Sequence, residues 1–418
     1  MGKNDAAWEK AFEDLKILDE IEKNGIFEVD AKQLIKYREP RLMCKADTSG
    51  QRPEIFQNYH LNILPNTRGS YIIGRFNNFT NLSINDHIPI ETIHIPNYIR
   101  TFNKFAITSE SNALNVAYIS GVFDEMVGNN KFKFLPTISG RLGTGEFDFL
   151  IDGYKVNVKN SQMEIDASFE NDNSVVLIEA KNRIPIDFNI RQLYYPYRYY
   201  HSLVRNKKIY PIFMTYSNSI YQFHVYEFKE VMDMKSIRKI GQKNFIINKS
   251  LTLSNKELMQ IYKSVLPDDD LLHIPFPQAN SITRIIAILD AFDKDKTNDE
   301  LSEEMGLATR QGQYYMRAME YLGLVEKYDN NSRLTSFGKT VKAEEDIYQK
   351  NILLIKSILK KRIFRDAFIE YMVYEEIDKN KTIRNLMELY KINDTTAERR
   401  FNTIKSWIEW IFSFTNNK

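Results

Sequence analysis

The fold prediction for this 418-residue chain starts from one stretch of sequence, Val175-Val176-Leu177-Ile178-Glu179-Ala180-Lys181. Its four leading apolar residues are mostly β-branched, which predicts a buried strand. Because side chains alternate along a strand, Glu179 and Lys181 point to the same face. Burying an acid and a base costs free energy unless both have partners. The end of this strand is therefore either an exposed charge pair or a functional site.

A further acid precedes this strand. Asp166 occurs in the segment Met163–Phe169, and the polar, turn-forming segment Glu170–Ser174 separates it from Val175. The two strands are predicted to form a hairpin, which would bring Asp166 beside Glu179. Two carboxylates make a hard, oxygen-rich site suited to Mg²⁺. The metal would lower the pKa of a bound water and polarise a phosphate oxygen, while Lys181 orients or deprotonates that water.

The elements predicted around this hairpin alternate between helices and strands, which favours an α/β unit built on one mixed sheet. Ser109 is the predicted N-cap of the first helix, and Pro196 is expected to kink the second helix or break its hydrogen-bond ladder. The predicted elements are a helix at Glu110–Met126, strands at Gly145–Ile151, Met163–Phe169 and Val175–Ala180, a helix at Asn189–Arg205, and strands at Ile209–Thr215 and Tyr221–Phe228.

Asp166 followed by Glu179-Ala180-Lys181 resembles the signature of the PD-(D/E)XK nuclease superfamily, with Ile165 where that family often has proline. The resemblance covers about residues 106–230 and implies a mixed-sheet core that hydrolyses phosphodiester bonds with Mg²⁺. It implies Asp166, Glu179 and Lys181 as catalytic residues. The predicted metal ligands are Asp166, Glu179, Ala180 and Glu110. Type II restriction endonucleases are the best match within the superfamily for a chain of this kind.

Other residues near the signature have two interpretations each. Glu110 opens a helix, where an acid either approaches the metal or complements the helix dipole. Asp148 is a rival to Asp166, but it lies one strand too early for the hairpin. Glu164 shares a face with Asp166 and either assists it or faces solvent. Between Lys181 and Tyr210 basic residues and tyrosines predominate, as a phosphate backbone would require, although a solvated helix face would look the same. The DNA-binding residues predicted in this region are Arg141, Arg183, Arg191 and Gln192.

The C-terminal half follows a helical period. Residues 282–338 resemble a winged helix-turn-helix, a module whose third helix, here Arg310–Leu322, enters the major groove. Thr382–Tyr390 and Thr395–Ile411 are predicted to form a second helix-turn-helix. Such modules also serve as dimerisation or scaffold units, and that interpretation stays open. The DNA-binding residues predicted in this half are Arg310, Gln311, Gln313, Tyr314, Arg317, Arg399 and Arg400.

Composition limits the remaining classes of protein. Lys and Arg number 57 against 55 Asp and Glu, so the formal net charge is only +2 and any basic surface must be local. The single cysteine, Cys44, excludes a disulfide framework, and the six histidines lack the spacing of zinc ligands. No run of about 18 apolar residues is present, and the first residues do not resemble a signal peptide. We therefore expect a cytoplasmic protein without a membrane segment.

Taken together, the patterns predict an α+β multidomain chain: an N-terminal DNA-recognition region (1–105), a PD-(D/E)XK nuclease core (106–277), a winged helix-turn-helix (278–345) and a second helical module (346–418). The expected function is that of a type II restriction enzyme, a site-specific endonuclease that cuts double-stranded DNA with Mg²⁺ as a homodimer and without a nucleotide cofactor. The alternatives are a catalytically silent DNA-binding regulator and a repair or junction-resolving nuclease.

Overall fold

A computed structural model describes residues 3–96, 98–99, 107, 109–127, 131–247, 253–268, 274–305, 307, 309–329 and 331–415. The chain is of the α+β class and divides into two compact units. The first contains Met1–Ser83, Thr108–Thr215 and Gln222–Gln242, and the second contains Ile84–Ile107, Tyr216–Tyr221 and Lys243–Lys418. The first unit thus combines residues from the predicted N-terminal region and the predicted core.

The helices of the described residues are, in chain order, α1 (Lys3–Leu15), α2 (Ile17–Asn24), α3 (Ala31–Leu34), α4 (Pro40–Cys44), α5 (Glu54–Asn58), α6 (Glu110–Ile119), α7 (Val122–Val127), α8 (Arg191–Leu203), α9 (Asn255–Ser264), α10 (Ile282–Asp290), α11 (Asn298–Met305), α12 (Thr309–Tyr321), α13 (Ser336–Ala343), α14 (Ile347–Leu359), α15 (Arg362–Tyr374), α16 (Lys379–Tyr390) and α17 (Asp394–Phe412).

The strands are β1 (Ile26–Asp30), β2 (Asn62–Pro65), β3 (Ser70–Gly74), β4 (Phe79–Asn81), β5 (Ile90–Ile93), β6 (Leu135–Pro136), β7 (Gly140–Gly143), β8 (Glu146–Ile151), β9 (Tyr154–Lys159), β10 (Gln162–Ile165), β11 (Ala167–Glu170), β12 (Ser174–Lys181), β13 (Asp187–Asn189), β14 (Lys208–Ser217), β15 (Ile220–Phe228), β16 (Ile237–Ile247), β17 (Val325–Tyr328) and β18 (Asn331–Leu334).

The central sheet of the first unit is mixed. Strand β12 pairs antiparallel with β11 and parallel with β14, and α8 packs against β12 and β10. Every residue of β12 except Lys181 is buried, which explains its continuous apolar sequence, because a strand with neighbours on both edges and a helix across it meets little water. The predicted strand is therefore present, one residue longer at each end.

The N-terminal part of the first unit has an aromatic core. The rings of Trp8, Phe12 and Phe56 meet edge to face, with centroids 4.8–6.0 Å apart. The Trp8 indole nitrogen also donates a hydrogen bond to the main-chain oxygen of Met43, at 3.0 Å. This bond joins α1 to α4 and fixes the position of the short helix that carries Arg41.

Two predicted elements are interrupted in the structure. The helix predicted at Glu110–Met126 is two helices, α6 and α7, because Gly121 adopts a φ of +75° that side chains disfavour. The strand predicted at Met163–Phe169 is β10 and β11, which pair with different partners, and Asp166 lies at the break. Pro196, by contrast, is buried within α8, which remains a single α-helix from Arg191 to Leu203.

In the second unit, residues 282–343 have the element order predicted for a winged helix-turn-helix. Helices α10, α11 and α12 are followed by the hairpin β17–β18, paired from Val325↔Leu334 to Tyr328↔Asn331, and by α13. The module closes tightly at Gly338, where a Cβ atom would lie 1.9 Å from the main-chain oxygen of Leu324. The second predicted pair of helices corresponds to α16 and α17.

Candidate functional site

The hairpin brings the two predicted acids to the same end of β12. In the β11–β12 register Ala167 pairs with Ile178, so Asp166 comes level with Glu179. Asp166 Oδ2 accepts a hydrogen bond of 2.7 Å from the main-chain nitrogen of Ala180. The side chain of Asp166 thus bonds the main chain of β12 at the point where strand pairing ends.

The acid and base at the end of β12 contact each other directly. Lys181 Nζ lies 2.5 Å from Glu179 Oε1, and both side chains are largely buried. Gln192, in the first turn of α8, donates a hydrogen bond from Nε2 to the same carboxylate oxygen. Glu179 is therefore held between a residue of its own strand and a residue of the helix packed against that strand.

Burial changes the proton affinity of all three charged groups. It raises the pKa of Glu179 to about 7, since the nearby Lys181 ammonium offsets only part of the cost of ionising a buried acid, and the Asp166 carboxylate adds to that cost. Burial also raises the pKa of Asp166, against the opposing hydrogen bond from Ala180. Burial alone would lower the pKa of Lys181, but the Glu179 carboxylate outweighs it and the pKa is raised.

Two further acids approach this group. Glu110 Oε1 accepts a hydrogen bond of 3.3 Å from the main-chain nitrogen of Asn182, directly after β12. Glu164, on β10, lies 3.7 Å from Arg141 Nε and 3.9 Å from a terminal nitrogen of Arg41. The charges of Glu110 and Glu164 both raise the pKa of Asp166. Both acids thus oppose Lys181, whose charge lowers the pKa of Asp166.

A cavity of about 670 Å³ opens beside these residues. Asp166, Glu179, Lys181 and Gln192 line it, and so do the N-terminal segments 31–47 and 63–71, including Arg41 and Arg68. Sequence reasoning did not associate these arginines with the site. Ser161 Oγ and Gln192 Oε1 also belong to lining residues, and both atoms are buried without a hydrogen-bond partner among the described residues.

The residues around Asp166 are compatible with Mg²⁺. Within the part of the chain that the structure describes, no cluster of three or more His, Cys, Asp or Glu side chains has the arrangement of a complete metal site. Mg²⁺, however, usually keeps several waters and needs only one or two carboxylates. Asp166 and Glu179 supply two, and a cation between them would offset both the burial and the repulsion from Asp166 that raise the pKa of Glu179.

The remaining predicted residues of the first unit divide between the cavity and other surfaces. Arg191 lines the cavity, Arg183 lies two residues beyond β12, and Arg141 is on β7. Asp148 is on β8, in a separate two-stranded sheet, where it accepts a hydrogen bond of 2.7 Å from Asn157 and lies 3.0 Å from Lys155. It does not line the cavity, and the carboxylate at hairpin distance from Glu179 is that of Asp166.

In the second unit, the predicted DNA-binding residues of α12 and α17 share one basic surface. Arg310, which donates a 2.7 Å hydrogen bond to the Tyr314 hydroxyl, and Arg317 are exposed on α12. Gln311 and Gln313 on the same helix are half-buried. Burial lowers the pKa of Arg400, and the charges of Arg399 and Arg317 lower it further, which indicates that Arg400 of α17 lies near Arg317 in the second half of α12.

Comparisons with known proteins identify three domain families, each described only as a domain of unknown function. The family DUF6996 matches residues 5–73, DUF6997 matches 74–246 and DUF7226 matches 284–416. No curated protein and no solved structure matches the chain. Across the described residues, no helix combines the length and apolar character that crossing a membrane requires.

Proposed function

We propose that this protein is a Mg²⁺-dependent endonuclease that cuts double-stranded DNA at specific sites, as a type II restriction enzyme does. The observation that carries the proposal is the convergence of Asp166, Glu179 and Lys181 at the end of one buried strand, beside a cavity. Strongly perturbed pKa values in a cavity are typical of functional sites. The resemblance to the PD-(D/E)XK signature supplies the reaction class.

In this proposal Asp166 and Glu179 hold Mg²⁺. When bound, the metal would activate a water and polarise a phosphate oxygen. Lys181 keeps its proton, because the Glu179 carboxylate beside it raises its pKa. It therefore orients the attacking water or donates a hydrogen bond to the phosphate, and it does not act as the base. Gln192 holds the Glu179 carboxylate in place through its amide nitrogen.

The basic surface of α12 and α17 supports the DNA part of the proposal. Recognition by a winged helix-turn-helix requires exposed polar and basic side chains on its third helix, and Arg310 and Arg317 meet that requirement. Cutting both strands would be achieved by a homodimer, which pairs two sites. The first alternative is a DNA-binding regulator that does not cut, and the second is a repair or junction-resolving nuclease.

Digestion of a sequenced plasmid by the purified protein in Mg²⁺, followed by mapping of the ends, tests the proposal. Discrete fragments support a site-specific endonuclease, and a smear indicates a nonspecific nuclease. Cutting only of branched substrates favours the junction-resolving alternative. The absence of cutting, together with a sequence-selective gel shift, favours the regulator. Light scattering during gel filtration, with and without DNA, measures the oligomeric state.

A further inference from the structure

The cavity beside Asp166 and Glu179 has a second wall that the proposed chemistry does not use. Segments 31–47 and 63–71 form it, and they belong to the N-terminal part of the chain. Both are tied to the residues around α8. Asn189 Nδ2 donates a 3.1 Å hydrogen bond to the main-chain oxygen of Ala46, and the Tyr195 hydroxyl donates one of 2.8 Å to the main-chain oxygen of Pro65. The wall is thus held against the start of α8, which packs on β12.

This wall is basic. Arg41 contributes from α4 and Arg68 from the β2–β3 turn, while Arg191 contributes from the start of α8. Arg41 lies 3.9 Å from Glu164, a long contact between two side chains that are more than half exposed, and such pairs are weak. Arg68 and Arg191 form no ion pair within the described ranges of the chain. All three guanidinium groups can therefore bind an external anion.

One buried polar atom adds an independent indication of a ligand. Ser161 is fully buried, yet its Oγ has no hydrogen-bond partner among the described residues. Buried polar atoms are normally paired, and each exception requires an explanation such as a bound molecule. A hydroxyl can donate to a phosphate oxygen, and Ser161 lines the same cavity as Arg41 and Arg68.

We propose that segments 31–47 and 63–71 bind the phosphate backbone of the substrate strand through Arg41 and Arg68, beside the position where Asp166 and Glu179 act. Arg191 completes this set from α8. Arginine suits the role, because its planar guanidinium binds phosphate oxygens in pairs and stays charged. The inference rests on the proposed nuclease function, and it adds the N-terminal part of the chain to the active site.

The test measures binding of the full-length protein to a 5′-labelled synthetic duplex whose sequence is taken from the plasmid, in Ca²⁺, over a salt series. Each lost phosphate contact lowers the slope of log K against log salt by about 0.9. We expect this loss for Arg41→Gln and Arg68→Gln, with wild-type behaviour for Lys10→Gln, an exposed base on α1 outside the cavity. Arg68→Lys, which keeps the charge, should recover most of the slope.

Thermal unfolding of each variant verifies that it is folded. If both arginine variants keep the wild-type slope while the wild type cuts DNA in Mg²⁺, this inference is wrong and the nuclease proposal stands. If the two arginine variants show the expected lower slopes but the wild type does not cut DNA, the cavity binds nucleic acid and the nuclease proposal is wrong. If the wild type neither binds nor cuts, both are wrong.

Discussion

The candidate residues of the two units differ in their surroundings. Glu179 and Lys181 are buried and bond each other, and Glu179 also bonds Gln192, whereas Arg310 and Arg399 are exposed on helices of the second unit. Buried charges without partners are costly, so each member of the first group depends on the others. Exposed charges cost little to keep. Substitutions should therefore alter chemistry and pH dependence in the first group, and only affinity for a charged partner in the second.

The largest effect is expected for the buried group. Asp166→Ala, Glu179→Ala and Lys181→Ala should each reduce DNA cleavage by at least about 10³-fold, because in the proposed mechanism each removes a group that acts on the metal, the water or the phosphate. DNA binding in Ca²⁺ should persist, since the exposed basic surfaces are unchanged. Initial rates of plasmid cleavage in Mg²⁺, beside gel shifts in Ca²⁺, measure both properties.

Asp148→Ala is the matched control for these variants. Asp148 is also a strand aspartate of the first unit, but it pairs with Asn157 and Lys155 outside the cavity. It should cut at close to the wild-type rate. Robust cutting by Glu179→Ala would overturn the site assignment. Loss of cutting in Asp148→Ala, with cutting kept in Asp166→Ala, would show that Asp148 and not Asp166 is the catalytic aspartate.

A second prediction concerns the packing of the winged helix-turn-helix in the second unit. Gly338→Ala places a methyl group 1.9 Å from the main-chain oxygen of Leu324, which cannot move without disturbing the start of the wing. We expect a loss of about 3 kcal/mol in the free energy of unfolding. Gly241→Ala, on β16 in the first unit and with open space around the added methyl group, should change it by less than about 1 kcal/mol. Urea unfolding of the two variants measures both changes. Equal unfolding midpoints would contradict the close packing described around Gly338.

The third prediction uses the raised pKa of Glu179. Its pKa is about 7 in the folded protein and near its ordinary value of 4.5 when unfolded. Between pH 4.5 and pH 7 the folded state binds this proton more tightly than the unfolded state does. The stability that the proton contributes is therefore complete below pH 4.5 and is lost as the pH rises through 7. Glu179→Gln removes this dependence. In EDTA, the stability of the variant relative to wild type should increase by about 1–3 kcal/mol between pH 5 and pH 8.

Thermal unfolding at several pH values measures this difference, and Mg²⁺ provides the control. If Glu179 binds the metal, saturating Mg²⁺ favours its ionised form and should reduce the pH-dependent difference between the two proteins. A difference that is constant from pH 5 to pH 8 would show that Glu179 does not titrate in this range.

Sequence alone was sufficient for the elements whose signals are local. The run Val175–Lys181 predicted β12 to within one residue, since a buried strand needs a continuous apolar sequence. The predicted hairpin is present, and its register places Asp166 level with Glu179. The helices and wing of residues 282–338 were also predicted, because their caps, glycines and apolar periods are all local features. The β8–β9 hairpin was missed although Asp152-Gly153, both with positive φ, is a typical turn signal.

The rest depended on contacts that no local pattern encodes. Arg41 and Arg68 line the cavity because hydrogen bonds from Asn189 and Tyr195 hold two N-terminal segments beside α8. The break at Asp166 likewise results from competition between β7 and β12 for neighbouring residues. Burial of Arg400 follows from its packing against Gln278, which lies far away in sequence. Such long-range pairings determine which charges become buried, and therefore which ones have perturbed pKa values.

The smallest predicted effect distinguishes two adjacent arginines of α17. Arg400 is half-buried and donates a 2.9 Å hydrogen bond to Gln278 Oε1, whereas Arg399 is exposed. Arg399→Ala should lower the salt slope of DNA binding by about 0.9, as expected for one phosphate contact, and leave unfolding unchanged. Arg400→Ala should instead lose about 1 kcal/mol of stability and change the slope little.

Arg310→Ala should relax discrimination between cognate and shuffled duplexes, because a base contact is worth roughly 1–3 kcal/mol. Binding in Ca²⁺ over a salt series, with urea unfolding beside it, separates these outcomes. If all three variants bind like wild type at every salt concentration, the second unit is a scaffold or dimerisation module, and recognition belongs to the first unit, whose cavity arginines would then carry the whole dependence on salt.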